Sequence, residues 1–238
     1  MDKRTARDIL SRNAWFANLP DELARDIMRL GRIRQVADVR LFAVGDEPNG
    51  LFAVLDGNVR ISFTSRDGRL ALLLVATPGQ WFGETSLFDR GRRYSEAFAD
   101  GSATVLQLGM SAFRELTGRS SSNYAAFVQL LCEHHRTAMD HIASIGALPM
   151  RSRVAQRLLS FAQGRGQGDD ARPVIALSQD ELAASVGISR QAINVHLKRL
   201  EREGCISLGY ASTKLLDRTQ LERIAKGLPN KRGRKGAR

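Results

Sequence analysis

The sequence is poor in cysteine and histidine and has no long apolar run. Its two cysteines, Cys132 and Cys205, are too few for a disulfide framework, an iron–sulfur cluster or a zinc site. Such sparse cysteine usage is typical of a reducing cytoplasm. The segment MDKRTARDILSRNAWF lacks the apolar core of a signal peptide, and no run approaches the length of a membrane span. We therefore expect a soluble, cytoplasmic protein with no membrane partner and no metal.

The residue patterns of catalysis are also missing from the sequence. No nucleophile–base pair, set of metal ligands or glycine-rich phosphate loop stands out. We therefore predict that the protein is not an enzyme and that its function is to bind other molecules.

The positive charge lies mostly in the C-terminal part of the chain. Residues 1–149 carry 18 Lys and Arg against 17 Asp and Glu, whereas residues 150–238 carry 18 against 8. This asymmetry indicates a polyanionic partner for the second part alone, although a solvated basic surface would have the same composition. The last residues, 227–238, include NKRGRKGAR and are expected to form a disordered basic tail.

The N-terminal part predicts short amphipathic helices followed by many short strands. From residue 36 to residue 108, glycines recur about every eleven or twelve residues between short apolar or alternating segments. Asp56-Gly57 and Asp67-Gly68 have the sequence of hairpin turns. Evenly spaced short strands of this kind predict an antiparallel β-barrel or jelly roll. We assign residues 1–122 to this domain.

A long helix is predicted over residues 123–148. Its apolar positions step alternately by four and three, a heptad pattern suited to pairing with a second copy of the chain. Packing on the chain's own barrel would need a similar stripe and remains an alternative. His134, His135 and His141 lack the spacing of metal ligands and are interpreted as ordinary interface residues. We call the stripe the seam; its residues are Tyr124, Val128, Leu131, His135, Ala138, Ile142 and Ile145.

The segment LSQDELAASVGISRQAINVHLKRLE predicts two short helices in the third domain, residues 149–226, which begins at Pro149. Ser178 and Glu181 have the spacing of a capping box, which starts the first helix, and Gly187 ends it. Ser189 caps the second helix. Two helices joined by such a glycine turn predict a helix-turn-helix, and the strand-like EGCISLGYASTKLLD that follows predicts a wing. The inward positions of the second helix are Ile193, Leu197 and Leu200.

The outward face of the second helix carries residue types that read base edges. Arginine pairs with guanine, glutamine or asparagine pairs with adenine, and valine contacts the thymine methyl group. These residues lie near the N-terminal end of the helix, where recognition helices meet the major groove. Ser178, Gln179 and Lys214 are better placed for phosphates. The candidate DNA-binding residues are Ser178, Gln179, Ser189, Arg190, Gln191, Asn194, Val195 and Lys198.

Over roughly residues 15–225 the chain resembles the Crp/Fnr family of bacterial transcription regulators. The matching pieces are the glycine-spaced barrel, GQWFGETSLFDRGRRYSEAFAD, the long helix and LSQDELAASVGISRQAINVHLKRLEREGCISL. The resemblance implies an α+β chain with a cyclic-nucleotide-binding-like barrel, a dimerisation helix and a winged helix-turn-helix. It also implies a homodimer on a palindromic double-stranded DNA site, an effector in the barrel, and RNA polymerase as a partner.

The resemblance also implies where the effector binds. In cyclic-nucleotide members, FGE supplies backbone amides and a carboxylate for the ribose, and an arginine nine or ten residues later holds the cyclic phosphate. Gly83 and Glu84 match FGE, and Arg93 matches the arginine, whose guanidinium suits a bidentate phosphate contact. Cyclic AMP and cyclic GMP are the candidate effectors. The candidate effector-binding residues are Gly83, Glu84, Thr85, Arg93, Tyr94 and Ser95.

Several positions depart from the cyclic-nucleotide pattern. Tyr94 replaces the small residue expected after the arginine, and Glu96 adds a negative charge nearby. Ala138 and Met139 stand where cyclic-AMP members present hydroxyl groups to adenine. FGE and Arg93 could therefore persist only as a turn and a surface charge, with another small anion or no ligand as effector. The oxygen-sensing and haem-binding branches are disfavoured, because no cysteine or histidine precedes residue 132.

The predicted recognition helix departs from well-known members as well. Those members have a glutamate and a second arginine where this chain has Gln191 and Val195, so its half-sites are expected to differ from TGTGA and TTGAT. The alternative function is a cyclic-nucleotide-sensing regulatory subunit of an enzyme or complex that does not act on DNA. The basic, base-reading helix favours the transcription regulator.

Overall fold

A computed structural model of the chain describes residues 1–64, 70–89, 91–162, 173–175 and 177–228. The chain divides into two compact units, Met1–Ala138 and Met139–Arg238. Helices and antiparallel strands are both present, which confirms the α+β prediction. The predicted basic tail begins at residue 227, and its residues 229–238 lie outside the described part.

Three short helices begin the first unit: α1 (Lys3–Leu10), α2 (Ala14–Ala17) and α3 (Asp21–Leu30). The side chains of Asp2 and Asn13 cap α1 and α2 by accepting backbone N–H groups. Trp15 joins these helices to the sheet, with its ring edge-to-face on Trp81 at 5.1 Å and its Nε1 donating to the Ala126 carbonyl at 2.6 Å. The apolar faces of the helices therefore cover one side of the sheet.

The strands described in the first unit form one six-stranded antiparallel sheet. They are β1 (Arg32–Phe42), β2 (Leu51–Asp56), β3 (Val59–Thr64), β4 (Leu70–Ala76), β5 (Trp81–Phe82) and β6 (Glu96–Leu108). The order is β4-β3-β6-β2-β5, and β1 pairs with β6. The register between β1 and β6 shifts at two places, beside Asp38 and before Phe42. Such irregularities bend long strands, and the curled sheet confirms the predicted barrel-like architecture.

The prediction of a hairpin at Asp56-Gly57 is wrong. β2 and β3 do not pair with each other; β2 pairs with residues 104–108 of β6, and β3 pairs with residues 96–99. Gly57 has a φ of 73°, and a Cβ there would clash with the Ser102 carbonyl oxygen. The glycine thus lets the chain pass closely beside β6 where the sheet turns a corner. Asp67-Gly68, the other predicted hairpin turn, lies outside the described residues; β3 and β4, the strands before and after it, pair antiparallel.

The inside of the curled sheet has its own apolar core. Phe42, Phe52 and Phe82 lie together there, and the rings of Phe52 and Phe82 are stacked with centroids 5.5 Å apart. A short helix, α4 (Thr85–Phe88), follows β5, so the pocket motif FGE lies between a buried strand and a helix. This arrangement fixes the backbone of the motif from both sides.

Two helices follow the sheet, α5 (Met110–Arg119) and the long α6 (Ser121–Ala147). The face of α6 that carries Ala126, Phe127 and Leu130 is buried in the first unit. The seam lies on another face, where Tyr124 and Ile145 are each 50% exposed and Ile142 is 57% exposed. The first part of the seam also contacts this domain, because Tyr124 lies edge-to-face on Phe88 at 5.7 Å and Val128 and Leu131 are half-buried. The later seam residues, His135, Ala138, Ile142 and Ile145, are exposed and are available for another molecule.

The second unit holds the C-terminal elements. They are α7 (Met150–Phe161), β7 (Val174–Ile175), α8 (Gln179–Val186), α9 (Arg190–Arg202), β8 (Ile206–Gly209), β9 (Ser212–Leu215) and α10 (Arg218–Ala225). The three strands pair antiparallel in the order β7-β9-β8. Pro149 stands at the N-cap of α7, where its missing N–H removes no helical hydrogen bond. The helix-turn-helix and the wing are both present as predicted.

Candidate nucleic-acid interface and effector pocket

Local hydrogen bonds and a left-handed glycine fix where α8 begins and ends and where α9 begins. The Ser178 hydroxyl oxygen accepts the Glu181 N–H at 3.3 Å, and the Glu181 carboxylate accepts the Ser178 N–H at 2.8 Å, which completes the predicted capping box. Gly187 ends α8 in the left-handed region with φ 75°. Ser189 caps α9 through the Ala192 N–H at 3.2 Å. All of these local predictions are confirmed.

The inward and outward faces of α9 separate as predicted. Ile193, Leu197 and Leu200 are buried, at no more than 1% exposure. Val195 is 64% exposed, and Gln191 and Lys198 are exposed beside it. The helix therefore presents a polar face with one apolar contact point, which is the pattern that base readout requires.

In the absence of DNA, three of the predicted DNA-contact residues are paired with another residue or partly buried. The exposed Arg190 guanidinium lies 3.3 Å from the Asp180 carboxylate, an ion pair that is weak enough at the surface to be exchanged for a base or phosphate. Asn194 is half-buried, and its buried Oδ1 has no hydrogen-bond partner among the described residues. The Ser178 hydroxyl also donates to Glu181 at 2.8 Å, so the capping box occupies the group predicted to contact phosphate.

Tyr210 is an exposed wing residue that was not among the DNA-contact residues predicted from the sequence. It lies between β8 and β9 at the tip of the wing and is fully exposed, and the next residue, Ala211, has a φ of 45°. The position of Tyr210 directly after Gly209, between the two strands predicted to form the wing, indicates in the sequence a residue at the tip of that hairpin. Lys214, the other wing residue considered, is exposed on β9.

Arg93 is the central charged group of the predicted effector pocket, and it is only 3% exposed. Its Nη1 donates to the Gly83 carbonyl at 2.5 Å, and its Nη2 donates to the Gly50 carbonyl at 2.6 Å and to Asn49 Oδ1 at 2.8 Å. Burial lowers the pKa of Arg93 to about 10, against the opposing effect of the Glu84 and Asp46 carboxylates. The interpretation of Arg93 as a surface charge is therefore wrong, because it binds the backbone of the pocket.

The guanidinium of Arg93 also lies over an aromatic ring. Its Cζ is 4.1 Å from the centroid of Phe42, a cation–π contact in the inner core of the sheet. Its Nε is buried and has no partner among the described residues. Little in the sequence pointed to Phe42, Asn49 and Gly50, since they precede Arg93 by more than forty residues. The one indication in the sequence is the Asn49-Gly50 pair before β2, which is typical of a turn where the backbone can approach another segment closely.

Glu84 has a partner that the sequence did not predict. Its carboxylate is 2.8 Å from Nδ1 of His134 on α6, so the imidazole N–H donates to it. Burial lowers the pKa of His134, but the hydrogen bond and charge of Glu84, together with Glu133, raise it to a net value above the ordinary one. The interpretation of His134 as an ordinary interface residue is wrong.

The remaining candidate effector-binding residues are Thr85, Tyr94 and Ser95. Tyr94 is 51% exposed; burial raises the pKa of its hydroxyl, and a hydrogen bond with Thr85 opposes that increase. Ser95 is buried and directly precedes β6. Glu96 lies 2.7 Å from Arg40, so its negative charge is paired with a neighbouring strand. Of the described residues, no three His, Cys, Asp or Glu side chains form a metal-binding group.

Comparison with known proteins gives the family. A cyclic nucleotide-binding domain model matches residues 36–120, and a Crp-like helix-turn-helix domain model matches residues 152–224. The cyclic AMP receptor protein of Thermus thermophilus is 32% identical over 79% of this chain and 85% of its own. The chain belongs to the Crp/Fnr family. It is a DNA-binding regulator of that type, and the alternative of an enzyme subunit is not favoured.

Further Crp/Fnr relatives match most or nearly all of the chain. A CRP-like cAMP-activated global transcriptional regulator of Mycobacterium tuberculosis is 28% identical over 92% of this chain and 99% of its own. The crystal structure of a CRP-family transcriptional regulator from Thermus thermophilus superposes with a TM-score of 0.64 at 27% identity, covering 82% of this chain and 97% of that one. In the part of our chain that the structure describes, no helix combines the length and apolarity needed to cross a bilayer.

Proposed function

We propose that two copies of this chain pair through α6 and bind a palindromic DNA site with their α9 helices, under the control of a cyclic nucleotide in the Arg93 pocket. The observation that carries the proposal is the exposed face of α9, where Arg190, Gln191 and Val195 lie exposed beside the half-buried Asn194. The three exposed side chains are not needed for the packing of α9, whose buried face is formed by other residues. In a basic domain such a face suits the major groove.

Base recognition follows from these side chains. Arg190 suits guanine O6 and N7, Gln191 or Asn194 suits adenine, and Val195 suits a thymine methyl group. Gln179 and Lys214 are proposed to contact backbone phosphates, and Ser189 and Lys198 are further proposed DNA contacts. Ser178 contributes by holding the first turn of α8 and its free N–H groups toward a phosphate. Well-known members of the family have a glutamate, which accepts a hydrogen bond from cytosine, and a guanine-reading arginine where this chain has Gln191 and Val195. We therefore expect half-sites that differ from TGTGA and TTGAT.

Dimerisation is supported by the exposed seam. Large apolar side chains such as Ile142 and Ile145 rarely lie exposed at heptad spacing unless another surface covers them. A second copy of α6 has the matching pattern. A symmetric dimer would in turn require a symmetric DNA site.

The effector assignment is supported by the chemistry of Arg93 and Glu84. A buried guanidinium with an unpartnered Nε and a nearby carboxylate suits a small ligand that has both a phosphate and a hydroxyl group. Cyclic AMP and cyclic GMP have these groups, and a homologue is described as cAMP-activated. The ligand would replace some carbonyl contacts of Arg93. We further expect contact with RNA polymerase, a cytoplasmic location, where the DNA is, and no catalytic activity.

The test of DNA recognition is fluorescence anisotropy with duplex DNA that contains a selected operator. Arg190→Ala should weaken operator binding by roughly 10- to 100-fold, the discrimination expected for one bidentate base contact. Arg218→Ala, which removes an exposed arginine of α10 that is paired with Glu222, serves as the control and should change affinity by less than about threefold. Equal effects of the two substitutions would contradict the proposal.

A further inference from the structure

The arginine of α9 that is proposed to read guanine is paired with a carboxylate of α8. Arg190 is the first residue of α9, and its Nη1 lies 3.3 Å from Oδ2 of Asp180 in the first turn of α8. Both side chains are well exposed, at 66% and 63%. Asp180 directly follows Gln179, one of the proposed phosphate contacts. A negative charge therefore lies within the surface that is proposed to approach a polyanion.

We infer that Asp180 is a specificity-determining residue of the DNA site, because it holds Arg190 ready for a guanine and opposes its binding to a phosphate. Asp180 acts through Arg190 and is therefore a positioning residue. The inference rests on the proposed function, since it assigns the base discrimination of that same face of α9. The neighbouring acid, Glu181, is bound differently: its carboxylate accepts the Ser178 N–H at 2.8 Å in the capping box.

The contact with Asp180 leaves most of the Arg190 guanidinium open. The carboxylate approaches Nη1, and Nη2 and Nε have no partner in the part of the chain that the structure describes. A guanidinium carries several N–H groups, and a parallel pair of them is enough for guanine O6 and N7. Arg190 can therefore read a guanine while Asp180 still holds Nη1. Holding the long side chain before DNA arrives reduces the rotamer entropy that is lost on binding.

Binding of Arg190 to a phosphate has a different consequence. A phosphate that takes Arg190 away from Asp180 leaves that carboxylate unpaired beside the DNA backbone. A phosphate that binds while the pair persists meets a guanidinium whose charge is already neutralised. In both cases Asp180 weakens nonspecific binding, which grows with the number of phosphates that the protein neutralises. The same carboxylate thus supports the guanine contact and acts against its main competitor.

The experiment measures, by fluorescence anisotropy, how the full-length chain binds a duplex selected by that chain and the same duplex with one base pair replaced. The replaced pair is the one whose change has no effect on Arg190→Ala, which identifies it as the pair that Arg190 reads. Asp180→Asn should lower the discrimination at this pair by roughly three- to tenfold. Asp180→Glu keeps the charge and should retain most of the discrimination.

Nonspecific binding supplies a second readout. Asp180→Asn should bind an unrelated duplex roughly three- to tenfold more tightly than the wild type, because Arg190 is then free to neutralise a phosphate. The slope of log K against log salt should become steeper by about 0.9 for each protomer that gains a phosphate contact. Discrimination is a ratio of two affinities of one variant, so a smaller folded fraction of Asp180→Asn cannot imitate its loss.

Glu222→Gln is the matched control. Glu222 is also an exposed carboxylate of the second unit, and it pairs with Arg218 at 3.0 Å on α10. Its substitution removes the same charge and should leave the discrimination at the replaced base pair within about twofold of the wild type. Unchanged discrimination in Asp180→Asn, or an equal loss in Glu222→Gln, would overturn the inference while the proposed function stands. If Arg190→Ala binds the selected duplex as tightly as the wild type, the proposed function fails and the inference falls with it.

Discussion

Arg93→Ala should destabilise the first unit in addition to removing a predicted phosphate ligand. The guanidinium donates to three acceptors, two of which are carbonyls at the starts of neighbouring segments, Gly50 and Gly83. Each hydrogen bond to a charged group contributes about 1.5–3 kcal/mol. Part of this free energy is offset in Arg93→Ala, because the variant no longer has to desolvate a guanidinium on folding. That desolvation is costly, since burial lowers the pKa of Arg93 to about 10. We expect a net loss of about 3–5 kcal/mol in the free energy of unfolding, the usual cost of removing one member of a buried charged contact.

The assay is thermal unfolding of the ligand-free chain followed by tryptophan fluorescence. Both tryptophans, Trp15 and Trp81, lie in the first unit and contact each other, so the signal reports that unit alone. A loss of this size should lower Tm by roughly 10 °C for a domain of this length. Arg92→Ala is the matched control, because Arg92 is 68% exposed and pairs with Glu47 at the surface. It should cost less than about 1 kcal/mol. Equal Tm values for the two variants would refute the structural role of Arg93.

Two further predictions concern α8 and the seam. Ser178→Ala removes both hydrogen bonds of the capping hydroxyl and should lower the free energy of unfolding of the second unit by about 1 kcal/mol. Calorimetry measures this change, and an unchanged unfolding transition would contradict the role of the cap. Ile142→Glu places a charge on the exposed seam and should convert the dimer to a monomer in sedimentation velocity, whereas Ala143→Glu, exposed one position away from the seam, should leave it dimeric. A dimer in both variants would exclude the seam as the interface.

The helix-turn-helix could be predicted in detail because local chemistry determines its ends. Ser178, Gly187 and Ser189 act on backbone groups no more than four residues away, and a single sequence contains all of that information. The division of α9 into buried and exposed faces follows from its helical period alone. These elements were therefore predicted to within a residue or two.

The effector pocket was predicted less well because long-range contacts build it. The Asp56-Gly57 pair has the sequence of a hairpin turn, but the partner of both flanking strands is β6, which comes some forty residues later. Two of the three acceptors of Arg93, Asn49 and Gly50, and the partner of Glu84 are also more than forty residues away in sequence. A motif can locate such residues in the pocket. It does not show what they bind in the absence of a ligand, because that depends on which strands pair.

The measurement that tests the central claim most directly is selection of bound duplexes from a random DNA library by the full-length chain. We predict a two-fold symmetric motif with half-sites about one helical turn apart, roughly ten base pairs between centres, and with half-sites other than TGTGA and TTGAT. Binding that depends on salt but enriches no symmetric motif would contradict a DNA-reading dimer. Enrichment of either familiar half-site unchanged would contradict the assignment of base contacts to Gln191 and Val195.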